Sequence, residues 1–403
     1  MAEILFPGVY VEEIETAPHP IPGVSTDVAG FIGFTERGSY GPKLVTSFAQ
    51  FKRIFGAPAS SARGFLPYAV QGFFENGGRK AYIARVGRGS KAKASASEFI
   101  GNPKAKASHR RGLAALANIP EISMLALPDV AHPRVPAKAR RSILAAAIAQ
   151  CEALRDRVVF IDAPAGVRDL GQSDPAIAKI QSSYAAVYGP WLEMTQGKRA
   201  LPVSLPPSGH LVGIYARNDN ERGVWKAPAG TEAEVRGISG LSFSLTEKER
   251  QSLADARINT IADFRNAGRG IVLWGARTRS TDPDWKYVNI RRYITFLENS
   301  IDRGLQWVVF EPNGEALWAN VRATVQDFLL NQWRNGALQS ARPDHAFFVH
   351  CDRTTMTQND IDNGRLICLI GVAPVKPAEF VIFRIGQWTA KKTCERAKGR
   401  KRP

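Results

Sequence analysis

The chain has 403 residues, of which 44% are hydrophobic and 23% charged, and it carries a formal net charge of +17. This is the composition of an ordinary globular protein with enough chain for two or three domains. It excludes a membrane span, because no apolar run approaches the ~18 residues required, and "MAEILFPGVY" lacks the basic and long apolar regions of a secretory signal.

In chain order, "ILFPGVYVEEI" (residues 4–14) is rich in β-branched and aromatic residues and reads as a strand within an extended arm, residues 1–20. "VAGFIGFTERG" reads as a buried strand, "SFAQFKRIFG" and "FLPYAVQGFFENGG" as short amphipathic helices, and "KAYIARVG" as the next strand. A basic Ala/Ser/Lys segment, residues 89–112, reads as a linker or exposed loop. "ISMLALPD" and "DRVVFIDAP" are apolar runs flanking the helical "AKARRSILAAAIAQCEALRD"; strand, helix and strand at this length predict a parallel βαβ unit. "SLTEKERQSLADARINTIADF" opens with a capping signal and reads as helix until Gly268 and Gly270. "GIVLWGART" follows as a strand, "YVNIRRYITFLENSIDRG" as a helix and "LQWVVFEP" as a strand. "EALWANVRATVQDFLLNQWRNGAL" is a long amphipathic helix with Leu317, Val321, Val325, Phe328, Leu329 and Trp333 on one stripe. "DHAFFVHCD", "RLICLIGVAPV" and "EFVIFRIGQWT" close the chain as strands, before a basic tail, residues 390–403, that reads as disordered.

The positive charge is concentrated. Residues 91–111 carry six Lys/Arg against one acid, and residues 391–402 carry seven against one. An acidic partner such as nucleic acid would explain both stretches, but neither has the interleaved aromatics that stack on bases. Cys151, Cys351, Cys368 and Cys394 form no CxxC pair and fit free thiols in a reducing cytosol.

Chemistry is hard to find. Asp162 ends an apolar strand as a metal-holding carboxylate would, but the matching phosphate cradle is missing: "VGRGSK" lacks the spacing. His345, His350, Cys351 and Asp352 cluster in sequence, but the two histidines are five apart on a predicted strand and face opposite ways. No catalytic, cofactor-binding or metal site is expected, and a basic nucleic-acid-binding protein or an α/β enzyme stands as the alternative.

The last third carries long specific strings: "GRGIVLWGARTRSTDPDWKYVNIRRYITFLENSIDRGLQWVVFEPN", "LWANVRATVQDFLLNQWRNGAL" and "DRTTMTQNDIDNGRLICLIGVAPVKPAEFVIFRIGQWT". With "PGVYVEE" at the front, these closely resemble the contractile tail sheath family of phage tails, contractile bacteriocins and extracellular injection particles. The resemblance implies an outer α/β domain (21–250) with a partly parallel sheet. It also implies a carboxyl-terminal α/β domain (251–389) whose sheet is completed by strands from neighbouring subunits. Pro7, Gly8, Val9, Tyr10 and Val11 of the arm, and Phe380, Val381, Ile382, Phe383, Ile385 and Trp388 of the last strand, would make those intersubunit ladders.

The resemblance further implies stacked hexameric rings around an inner tube protein, with baseplate and terminator proteins as partners and neither membrane span nor nucleic acid. Assembly in the bacterial cytoplasm would precede release as a phage tail or tail-like particle. The short basic segment, in place of a large inserted domain, resembles the compact single-chain sheaths. Asn320, Arg322 and Arg334 are the expected tube-facing residues, with Arg291, Arg292 and Lys376 behind them.

Overall fold

The computed structural model describes residues 20–58, 64–87, 94–106, 109–168, 175–195 and 201–379. The arm residues 7–11 and the strand residues 380–388 therefore lie outside the described residues, as does the basic tail.

The core begins with β1 (Val28–Gly33), all six residues of which are buried, as a parallel strand covered on both faces requires. β2 (Lys43–Val45) leads to α1 (Phe48–Phe55), whose first turn is capped by the Ser47 hydroxyl on the Gln50 N–H at 3.2 Å. Then come α2 (Leu66–Glu75), β3 (Lys80–Arg85), α3 (Ala96–Ile100), α4 (Gly112–Leu116) and β4 (Met124–Ala126). α5 (Ala137–Leu154) crosses to β5 (Val158–Asp162), which lies parallel to β4 with Met124 opposite Val158: the predicted βαβ unit. The chain continues through α6 (Pro175–Ala178), β6 (Ala185–Gly189), β7 (Leu192–Met194), β8 (Val203–Leu205), α7 (Ser208–Glu221) and β9 (Gly240–Leu241). α8 (Glu247–Asp255), β10 (Ile258–Asp263) and β11 (Ile271–Trp274) follow. The carboxyl-terminal part comprises α9 (Val288–Gly304), α10 (Glu315–Arg334), β12 (Phe347–His350), α11 (Gln358–Asp362) and β13 (Leu369–Val372).

Eight strands form one sheet in the order β11-β10-β6-β5-β4-β1-β3-β2, parallel except for its two edge strands. Helices sandwich it around Phe31, Phe51, Phe73, Phe99, Phe160 and Tyr215, all essentially without solvent contact. α2 and α7 pack so closely that a Cβ on Gly209 would lie 2.3 Å from the Ala69 Cα, so glycine is required there. Separate clusters hold the carboxyl-terminal part together, one around Tyr293, Val325 and Phe328, another around Leu317, Val321 and Cys351.

Three expectations are corrected. The "INTIADF" stretch is not helix: α8 stops at Asp255, Arg257 turns the chain with φ +55°, and Ile258–Asp263 becomes β10 beside β6. "LQWVVFEP" is not a strand among the described residues; Gln306–Val308 is a 3-10 turn, and Phe310 follows with φ +74°. The basic segment is only partly loop, since Ala94 and Phe99 are buried and α3 packs on α5. The eight-stranded sheet also runs past residue 250, to Trp274.

Candidate assembly surface

The described chain begins against the carboxyl-terminal part and ends against the segment between β11 and α9. At the front, Ile21 packs so tightly on α9 that a Cβ on Gly304 would lie 2.7 Å from it. The Val24 N–H donates to the Ser300 hydroxyl at 3.1 Å. Arg292, on the same helix, donates to the Thr26 carbonyl at 2.7 Å and pairs with Asp219 at 2.6 Å, both side chains almost wholly buried. Residues 21–26 are thus fixed against α9.

The back is fixed comparably. Gln339 donates to the Ala373 carbonyl at 2.7 Å and Val375 to the Ala337 carbonyl at 3.1 Å, so residues 373–375 run antiparallel to residues 337–339, just past α10. Glu379, the last described residue, accepts from Arg277 Nε at 2.7 Å, from Arg277 Nη2 at 2.9 Å and from Lys286 Nζ at 2.6 Å. Partial burial would raise this carboxyl, but the hydrogen bonds and charges of Arg277 and Lys286 outweigh it and hold the group at about 2. The predicted strand begins one residue later.

The carboxyl-terminal part also holds an unfinished sheet. β12 and β13 pair only with each other among the described residues. A two-stranded ribbon is marginal alone and leaves two open edges of backbone donors and acceptors. Its surface is apolar, with Phe348 and Leu369 (54%) exposed and Ile367 beside them. Val309 and Phe310 add a second exposed apolar point, Phe310 being fully exposed at 102%.

Of the tube-facing candidates, Asn320 and Arg334 are exposed and 14 residues apart, about four helical turns, so they share one face of α10. Arg322 lies on the other flank, half-buried, donating to the Cys351 carbonyl at 3.5 Å. Arg291 and Arg292 are buried; Arg291 stacks on Trp285 at 3.3 Å. Lys376 is exposed, 3.4 Å from Asp284.

The enzyme alternative points to one place in the sheet. In a doubly wound sheet, ligands enter beyond the carboxyl ends of the strands, where strand order reverses, here between β1 and β4. At that end of the sheet two buried carboxylates bond to the protein's own backbone, beside a cavity of about 380 Å³ lined by Phe65, Leu127 and Asp162. Asp129 accepts from the N–H groups of Phe34 (2.6 Å), Phe65 and Leu66 (3.3 Å), occupying the start of α2 where a bound anion would sit. Asp162 accepts from the Ser208 N–H and hydroxyl, both at 2.7 Å, and so holds the start of α7. Burial pushes each to about 7, only partly opposed by those donors. No cluster of His, Cys, Asp or Glu among the described residues could hold a metal. No helix among them is long and apolar enough to cross a membrane.

Sequence reasoning did not find the Glu379 clamp or the Arg292–Asp219 pair. Their members are 102 and 73 residues apart, and no local pattern links them.

Comparison with known proteins identifies the family. Residues 100–279 match the phage tail sheath protein central domain, and residues 280–387 the phage tail sheath C-terminal domain. A prophage major tail sheath protein of Pseudomonas aeruginosa (strain UCBPP-PA14) is 26% identical over 45% of the chain; the match spans 47% of that relative. The helical sheath of the anti-feeding prophage in its contracted state is 29% identical with a TM-score of 0.76, covering 95% of this chain and 99% of that one. The sheath complex of the PVC extracellular contractile injection system, also contracted, is 26% identical with a TM-score of 0.76, covering 97% and 100%. The two domain matches are contiguous, and the chain belongs to the contractile tail sheath family, as a structural sheath subunit.

Proposed function

We propose that this chain polymerises as stacked hexameric rings around an inner tube, attached to a baseplate, and contracts to drive the tube through a target envelope. The observation that carries this reading is that the described chain is fixed at both ends, by residues 21–26 on α9 and by Glu379 on Arg277 and Lys286, while the β12–β13 ribbon stays open. Residues 7–11 and 380–388 extend from those ends and add strands to a neighbour's ribbon, with main-chain hydrogen bonds supplying affinity. The contact is heterologous, because donor and acceptor surfaces differ, and so it can repeat from subunit to subunit around a ring and between rings.

Contraction draws its energy from packing rather than from a nucleotide. At ~25 cal/mol per Å², a few hundred Å² of extra apolar burial per subunit gives several kcal/mol. The eight-stranded sheet moves as a rigid body, and the arms keep the lattice connected. The grip on the tube is polar, through Asn320 and Arg334 on the outer face of α10, with Arg322 at its margin. Assembly occurs in the bacterial cytoplasm, and the product is a phage tail or a released tail-like particle.

Removing residues 1–15 tests the reading. The truncated chain stays folded and monomeric in sedimentation, while the full chain forms tubes visible by negative-stain microscopy. Tubes of normal length from the truncated chain would contradict strand exchange.

A further inference from the structure

β12 and β13 pair antiparallel, with Phe347 opposite Val372 and His350 opposite Leu369. One further step along this register sets Cys351 opposite Cys368. Cross-strand neighbours hold their Cβ atoms about 4.5–5.5 Å apart, close to the ~3.5–4.5 Å of a disulfide. Both side chains belong to the same apolar cluster, Cys351 inside it and Cys368 packed against it. Cys351 is fully buried against Leu317, Val321 and Met356, while Cys368 is half-buried and reachable from solvent. Between them the chain makes the loop 352–367, which contains α11.

We propose that Cys351 and Cys368 form a reversible intramolecular disulfide by exchange with a soluble low-molecular-weight disulfide, stapling the base of the 352–367 loop and the end of the β12–β13 ribbon. Cys368 attacks first. It is the more accessible thiol, and the neighbouring Cys351 lowers it, while the neighbouring Cys368 and burial raise Cys351. With oxidised glutathione, the Cys368 thiolate bonds to one glutathione sulfur and the other glutathione leaves as a thiolate. Cys351 then passes its proton to the departing thiolate and attacks the Cys368 sulfur, expelling the second glutathione. Two protein thiols and one oxidised glutathione become one protein disulfide and two reduced glutathiones. Cys151 stands outside this exchange, fully buried and pushed up to about 12 by burial.

The chemistry is independent of the assembly reading; only the claim that it stiffens an acceptor ribbon rests on that reading. The test uses the full-length protein, treated with oxidised glutathione, alkylated, and digested with trypsin without reduction. Cleavage at Arg353 and Arg365 puts the two cysteines on separate peptides, and they are recovered linked, in a form that dithiothreitol separates. Cys351→Ser leaves Cys368 as a lasting glutathione adduct, whereas Cys368→Ser leaves Cys351 unmodified. Alkylation of both cysteines in the treated wild-type protein, or a glutathione adduct on Cys351 in the Cys368→Ser protein, would overturn the proposal. The staple also raises the unfolding midpoint of the oxidised protein by a few degrees; an unchanged midpoint with the linked peptide present would remove the stiffening role but not the disulfide. Polymer yield read on the same samples separates failure of the assembly reading from failure of the chemistry.

Discussion

Glu379 and Arg277 form a two-point ion pair, at 2.7 and 2.9 Å, that ties the last described residue to the loop just after β11. Arg277 itself donates to the Ala254 carbonyl at 3.0 Å, at the end of α8. The last described residue is therefore fixed to the edge of the eight-stranded sheet.

Glu379→Gln weakens this attachment by about 1–2 kcal/mol, since a charged acceptor of three hydrogen bonds becomes neutral. The folded carboxyl lies at about 2, below its ordinary 4.5. Its stabilisation is complete above about pH 4.5 and is lost as the pH falls toward 2. Hydrogen exchange of residues 375–379 rises in the wild type over that acid window, and in the Gln variant is already high at neutral pH. Identical exchange in the two proteins at pH 7 would contradict the clamp.

Asp129 makes the opposite pH prediction. Burial raises it to about 7 from 3.8, so the folded state binds its proton more tightly than the unfolded one. Its contribution is fully present below about pH 3.8 and is lost as the pH rises through 7. Asp129→Asn flattens the dependence of the urea midpoint between pH 4 and 7. Asp129→Ala strands the Phe34, Phe65 and Leu66 donors and costs at least about 3 kcal/mol. An alanine variant of wild-type stability would show that the carboxylate does not hold those donors.

On α10 the two arginines separate. Arg334→Glu leaves the monomer within about ±0.5 kcal/mol, as for most surface changes, but lowers the salt concentration at which sheath and tube part. Arg322→Glu costs the monomer about 1 kcal/mol, because the half-buried side chain loses the Cys351 carbonyl. Denaturation curves together with tube co-sedimentation over a salt series distinguish them.

Phe310 combines full exposure with a left-handed backbone, two costs that no contact among the described residues offsets. Phe310→Gly raises monomer stability by up to about 1 kcal/mol and lowers polymer yield. Unfolding midpoints and pelleting assays read the two effects, and a gain in polymer would contradict a role for Phe310 between subunits.

Elements with a strong single period were legible in the sequence. α10 shows its apolar stripe, and β4, α5 and β5 show two apolar runs around a helix of the right length. β10 was hidden because Leu253, Ile258 and Ile261 still suit a helix, and the residue that ends α8 in the left-handed region is Arg257, not the glycine that would announce it. "LQWVVFEP" has strand composition but no strand partner in the described chain, so local propensity loses to the missing ladder. Phe99 was hidden among lysines, where a single aromatic between charges gives no period, yet it is buried between α3 and the core. The attachments at the two ends of the described chain were invisible for a different reason: they are pairs of charges and close contacts that only the folded chain brings together.

The central claim is that residues 7–11 and 380–388 complete the β12–β13 ribbon of neighbouring subunits. A cryo-electron microscopy reconstruction of the assembled chain reads this directly, by following backbone density outward from Ile21 and from Glu379. The account predicts that both traces cross into other subunits and that the ribbon becomes a sheet of at least four strands. Traces that fold back onto β12 and β13 of their own chain, with that ribbon unpaired to any neighbour, would contradict it.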